Sequence, residues 1–146
     1  MYNAAKKVRG FTLVELAVVV VIIGVLAAFA VPRFLVSVER SKASEAFNDL
    51  ATVHSAQERY QARQGTYASS IANLDTEMDS PEYFSVGAIE VPATAASLET
   101  GWEITMTRTG SSAGFGAYTV VWGHLGFDPT GSTIPDDINP FQTSDS

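Results

Sequence analysis

One carboxylate stands alone in the most apolar stretch of this chain. In FTLVELAVVVVIIGVLAAFAV, Phe11 to Val31, Glu15 is the only ionisable side chain. A charge near the middle of a membrane-length apolar run costs on the order of 3 kcal/mol, and less toward an end. A segment that only anchored the chain would do better with valine at position 15, so the carboxylate implies a counter-charge to be met. Other reactive residue types are sparse. There are two histidines, His54 and His124, and no cysteine, so neither a disulfide framework nor thiolate chemistry is available. Nothing in the spacing sets either histidine beside a nucleophile or in a metal-ligand set, and His54 falls on or beside the buried stripe of a helix. The glycines of GSSAGFG, residues 110–116, lack the lysine and the strand-to-helix context of a phosphate loop. The chain reads as a non-enzyme.

The element that must carry Glu15 is a helix. At ~1.5 Å per residue, Phe11 to Val31 covers roughly 30 Å, about the hydrocarbon thickness of a bilayer. Lys6, Lys7 and Arg9 make a basic start, and Ala28-Phe29-Ala30 has the small-x-small form of a secretory cleavage site. That reading predicts a secreted soluble binding domain released after Ala30. The apolar stretch exceeds the usual ~7–15 residues of such a signal and has Glu15 inside it. A plain anchor explains the length and leaves Glu15 unexplained. Charge is split unevenly: residues 1–42 balance to +4 and residues 43–146 to −11, which sum to the −7 of the chain. An acidic surface repels phosphate backbones, so direct nucleic-acid binding is not expected.

RGFTLVEL, Arg9 to Leu16, resembles the cleavage and assembly motif of class III signal sequences, those of type IV pilins and the related type II secretion pseudopilins. The resemblance covers residues 6–40 and is architectural beyond. It implies that a prepilin peptidase removes a leader ending at Gly10 and that Phe11, the new terminus, is N-methylated. Glu15 stands at the family's glutamate position, and Gly24 and Pro32 fall where the family places its helix-softening residues. Such cleavage would create an α-amine, of ordinary pKa near 7.7–8, at the end of an apolar helix. Amine and carboxylate from neighbouring helices would then neutralise each other. Buried ion pairs add little net stability but set register, which staggered helix packing needs. Glu15 and Phe11 are therefore the expected assembly residues.

Beyond Pro32 the pattern turns amphipathic. Ala43, Phe47, Leu50, Val53 or His54, Gln57 and Tyr60 recur at helical spacing, with Glu39, Lys42, Glu45, Asp49 and Glu58 largely between them. Gly65 is a stop signal, which predicts a nearly continuous helix from Phe11 to Gln64, weakest over residues 24–32. GTYASSIANLD reads as a loop with one helical turn, anchored by Tyr67, Ile71 and Leu74. Strand signals follow in EYFSVGAIEV, with Gly87 marking a bulge, in WEITMTR and in AYTVVWG; TGSSAGFG joins the last two as a hairpin loop. The tail from His124 carries Pro129, Pro135 and Pro140, and predicts irregular structure that wraps the sheet edge and frays at its end. Asp128, Asp136, Asp137 and Asn139 carry oxygens that suit calcium, as a resembling loop of major pseudopilins does. Their spacing matches no EF-hand, solvated loop acids is the plainer reading, and no cofactor is expected.

The expected fold is α+β, the type IV pilin fold: a long N-terminal helix, apolar then amphipathic, packed on a small antiparallel sheet. Its segments are a leader over 1–10, a transmembrane or filament-core half-helix over 11–32, an amphipathic half over 33–64 and a head over 65–146. The resemblance implies a pilus subunit that polymerises with itself. Its other partners would be the peptidase, an inner-membrane platform with its ATPase, and the membrane before assembly. The precursor would span the inner membrane once, and the product would be a surface filament, or a periplasmic one for a pseudopilin.

Overall fold

The computed structural model describes residues 10–76, 78 and 80–142; Lys6, Lys7 and Arg9 of the expected leader and residues 143–146 of the tail lie outside them. Helix α1 spans Leu13–Gln64, followed by a 3-10 turn at Ile71–Asn73. Four strands come next: β1 Phe84–Glu90, β2 Glu103–Arg108, β3 Thr119–Gly123 and β4 Gly126–Asp128. A second 3-10 turn, Asp136–Ile138, closes the described chain. The residues fall into two compact units, divided between Leu35 and Val36.

The first unit holds the apolar part of α1. Its most apolar 18-residue window has a mean hydropathy of 2.9 and no buried residue, so the helix is long and apolar enough to cross a membrane. Phe11, Leu13, Phe29 and Phe34 are all exposed. α1 begins at Leu13 rather than Phe11, because Thr12 caps it. It passes through Gly24 and Pro32 without a break, although Pro32 has no N–H to offer the Ala28 carbonyl.

The second unit is built on the amphipathic part of α1. Ala43, Ala46, Phe47, Leu50, Val53, Ala56 and Gln57 form its buried stripe. The helix stops at Gly65, whose φ of 77° is open to glycine without strain, and the Gly65 N–H donates to the Gln61 carbonyl at 2.8 Å. Buried Gln57 then holds the connection, accepting from the Ala68 N–H at 2.8 Å and donating to the Ala68 carbonyl at 3.0 Å. Arg59 and Arg63 both reach Asp75, at 2.9 and 3.2 Å, from the last turns of the helix.

The sheet is antiparallel in the order β1-β2-β3-β4. Alternation puts Ile104, Met106, Val120 and Trp122 inward, joined by Phe84 and Ile89 of β1 and by Trp102. The register of β1 slips between Val86 and Ile89, and Gly87 allows it: a Cβ there would lie 2.8 Å from the Thr105 carbonyl oxygen. Two expectations need correcting, those for the tail and for Glu39. The tail is not wholly irregular, since Gly126–Asp128 adds β4 through a tight turn at Gly123–Gly126, where Gly126 has a φ of 97°. Val121, on the outward alternation, is buried, because the tail returns across it: Ser132 Oγ accepts the Val121 N–H at 2.8 Å. Glu39, taken as a residue of the polar face, is buried at 1% exposure.

Candidate assembly site and the buried ion pair

Gly10, Phe11 and Thr12 are exposed and precede the helix, and a Cβ on Gly10 would meet nothing within 4 Å. Thr12 is the N-cap. Its Oγ1 accepts the Glu15 N–H at 3.2 Å and donates to Glu15 Oε2 at 2.9 Å, and the Thr12 N–H donates to the same Oε2 at 2.8 Å. This is a capping box, Thr-x-x-Glu, in which side chain and backbone satisfy each other's free donors. The pattern stands in the letters TLVE, yet reading Glu15 only as an unpaired charge passed over it. Glu15 Oε1 accepts no hydrogen bond among the described residues. The carboxylate is thus tied at one oxygen and free at the other.

Gly24 and Pro32 are exposed on α1. Asp128 closes β4, where its Oδ1 accepts the Thr130 N–H at 2.8 Å, while Asp136 and Asp137 are exposed in the second 3-10 turn. Asn139 is buried and caps the tail, accepting the Phe141 N–H at 3.0 Å. Among the described residues, no group of three or more His, Cys, Asp or Glu side chains comes together. His54 is half-buried in the core, its Nδ1 3.1 Å from the Gly123 carbonyl, with its ring packed between Trp102 and Trp122. His124 borders a hollow of about 460 Å³ shared with Pro92, Trp102, Glu103, Leu125 and Phe127.

A second constellation escaped sequence reasoning. Arg108, buried at the end of β2, donates Nε to Glu39 Oε1 at 2.5 Å and Nη2 to Glu39 Oε2 at 3.2 Å. It also donates Nη2 to the Ser111 carbonyl at 2.8 Å, and Nη1 to the Tyr83 carbonyl at 3.3 Å and to the Thr109 carbonyl. Tyr118 adds its hydroxyl to Glu39 Oε1 at 3.0 Å, and Lys42 stands 3.7 Å from Oε2. Burial works to raise the Glu39 carboxyl, but the hydrogen bonds from Arg108 and Tyr118 and the charges of Arg108 and Lys42 outweigh it and hold it below its ordinary value. Burial and the same carboxylate push the Tyr118 phenol up. The pair pins α1 to the sheet and gathers the β2–β3 loop. Its signal was present: Glu39 lies four residues before Ala43 on the buried stripe, and Arg108 continues the inward series Trp102, Ile104, Met106.

Residues 5–31 match the family model described as the prokaryotic N-terminal methylation motif. Residues 32–117 match the model described as type IV minor pilin ComP, DNA uptake sequence receptor. The type IV major pilin protein PilA of Myxococcus xanthus is 48% identical over 65 residues, 44% of this chain and 29% of that protein. The type II secretion system core protein G of Escherichia coli is 35% identical over 79 residues, 54% of each chain. The fimbrial protein EcpC of Eikenella corrodens is 42% identical over 64 residues, 44% of this chain and 42% of its own. The chain spans about half the length, or less, of these curated relatives, and no solved structure matches it significantly. A methylation motif on an exposed apolar helix, continued by a helix-on-sheet head that matches over more than half of the chain, leaves one family: the chain belongs to the type IV pilins, in the group described as the minor pilin ComP.

Proposed function

We propose that this chain is a structural subunit of a type IV pilus, cut after Gly10, N-methylated at Phe11 and assembled through its N-terminal helix into a helical filament. The observation that carries the reading is the Glu15 carboxylate, half tied by Thr12, on a helix whose apolar side chains are all exposed from Leu13 to Leu35. Exposed apolar surface on that scale needs a cover: lipid before assembly and neighbouring helices after it. Extraction from the bilayer exchanges one apolar contact for another, so an ATP-driven platform must supply the work. The new α-amine of one subunit and the Glu15 carboxylate of another then cancel two charges in the filament core. The pool of subunits spans the inner membrane with the head outside the cytoplasm.

Two observations weigh on neighbouring readings. The match to the secretion system core protein extends over 54% of both chains, which favours a pseudopilin of a type II secretion system as the second reading. Imaging of sheared surface filaments separates the two. The matched family is described by a DNA uptake sequence receptor, but the cations of this head are engaged. Lys42 and Arg108 pair with Glu39, Arg59 and Arg63 pair with Asp75, and Arg40 donates to the Gln142 carbonyl. Residues 43–146 carry a net charge of −11, which opposes phosphate contacts, so this head is not expected to hold DNA on its own.

Mass spectrometry of the mature N-terminus tests the proposal. The expected product begins with N-methylated Phe11; a chain beginning at Val31 would overturn it and leave the secreted domain.

A further inference from the structure

We propose that Thr12 is a positioning residue for Glu15, holding its carboxylate so that Oε1 alone faces an incoming subunit; this rests on the reading of Glu15 as the acceptor of a neighbour's α-amine. Both bonds from Thr12 end on one oxygen, Oε2, at 2.8 and 2.9 Å, and Oε1 is left without a donor among the described residues. A glutamate side chain has three rotatable bonds, and fixing them at the moment of docking would cost conformational entropy. The Thr12 bonds meet that cost beforehand. They also supply local donors to the carboxylate while the subunit waits in lipid, where a bare charge is expensive. The arrangement survives processing, because the Thr12 amide stays a peptide N–H when the bond after Gly10 is cut. An ammonium docking on Oε1 need not displace Thr12, so the carboxylate is neutralised without losing its existing partners.

The test uses the full chain in cells that process and assemble it. Thr12→Val keeps the shape and removes the hydroxyl; Thr12→Ser restores it. With leader cleavage and helix content unchanged, Thr12→Val is expected to lower sheared-filament yield by about fivefold, the scale of losing one side-chain hydrogen bond. Thr12→Ser is expected to return it to near the wild-type level. In detergent micelles the residue 12 amide resonance should shift as Glu15 titrates, and should stop doing so in Glu15→Gln. Normal filament yield from Thr12→Val, an equal loss in Thr12→Ser, or a loss that tracks failed cleavage or reduced helicity would each overturn the positioning role. Normal yield from Glu15→Leu would instead remove the reading on which it rests, so the two failures are distinguishable.

Discussion

Arg108 offers five N–H donors in a rigid fork, and two Glu39 oxygens and three backbone carbonyls take them all. Removing either charge leaves the other buried and unpaired, which typically costs ~3–5 kcal/mol. Glu39→Leu should therefore lower the melting temperature of the head steeply. Arg108→Lys keeps the charge but has too few donors in the wrong geometry, and should cost about 1–3 kcal/mol. The double variant Glu39→Leu, Arg108→Met should recover only part of the loss, because the Thr109 and Ser111 carbonyls lose the donor that Arg108 supplies. The pH dependence has a definite sign. The folded Glu39 carboxyl lies below its unfolded value of ~4.3, so its stabilisation is present above that pH and fades as pH falls through the folded pKa. Melting temperatures between pH 7 and pH 3 should fall for the wild type and fall less for Glu39→Gln. At position 15, Glu15→Leu should be cleaved normally and partition into membrane better, by up to about 3 kcal/mol, while filament yield drops steeply. Both glutamates show what single letters conceal. Glu39 sat on the buried period and was set aside for its charge; Glu15 was recognised for its charge and missed as half of a cap.

The helix and the three longer strands were legible as elements because their periods are strong. α1 ends where Gly65 predicts, the bulge lies at Gly87, and the Gly-rich segment joins β2 to β3. β4 was not legible: Gly126–Asp128 is three residues long, too short for alternation to register, and its pairing depends on Gly126 entering a positive φ. Val121 broke its alternation for a reason of long range, the return of Ser132 and Thr133 along β3. Close approach makes Gly123 a second test of the sheet. A Cβ there would lie 2.7 Å from the Trp102 carbonyl oxygen, so Gly123→Ala should cost about 1–3 kcal/mol by forcing β2 and β3 apart. In the long helix, the hydrogen bond that Pro32 cannot donate to the Ala28 carbonyl and the absent side chain of Gly24 make residues 24–32 the segment that should change conformation on assembly. A filament map with regular helix through all of these residues would contradict that.

At the scale of the whole molecule, the core members run from Ala43 to Ile138 and include nothing from the apolar half of α1. The head should fold without that half. A chain starting at Val36 should unfold cooperatively, melt within about 5 °C of the head in the full chain, and stay monomeric. Filaments from such a chain would contradict the role given to residues 11–32. With no cysteine in the chain, aromatic packing and hydrogen bonds hold the tail. Phe127 and Phe141 stack 5.8 Å apart over Phe47, and Arg40 holds the Gln142 carbonyl at 3.2 Å, so the tail is fastened to the helix at its last described residues.

The two tryptophans of the chain, Trp102 and Trp122, are both buried in that core, with indole N–H groups that meet no acceptor among the described residues. Between Phe11 and Arg59 there is neither tryptophan nor tyrosine. Ultraviolet emission excited at the indoles therefore reports on the head alone, against an optically silent anchor. Dry, unbonded indoles emit at the blue end of their range, and exposure to water moves them to the red. The state of the head is thus readable without a dye in lipid, in detergent and in the assembled fibre, from one unlabelled protein.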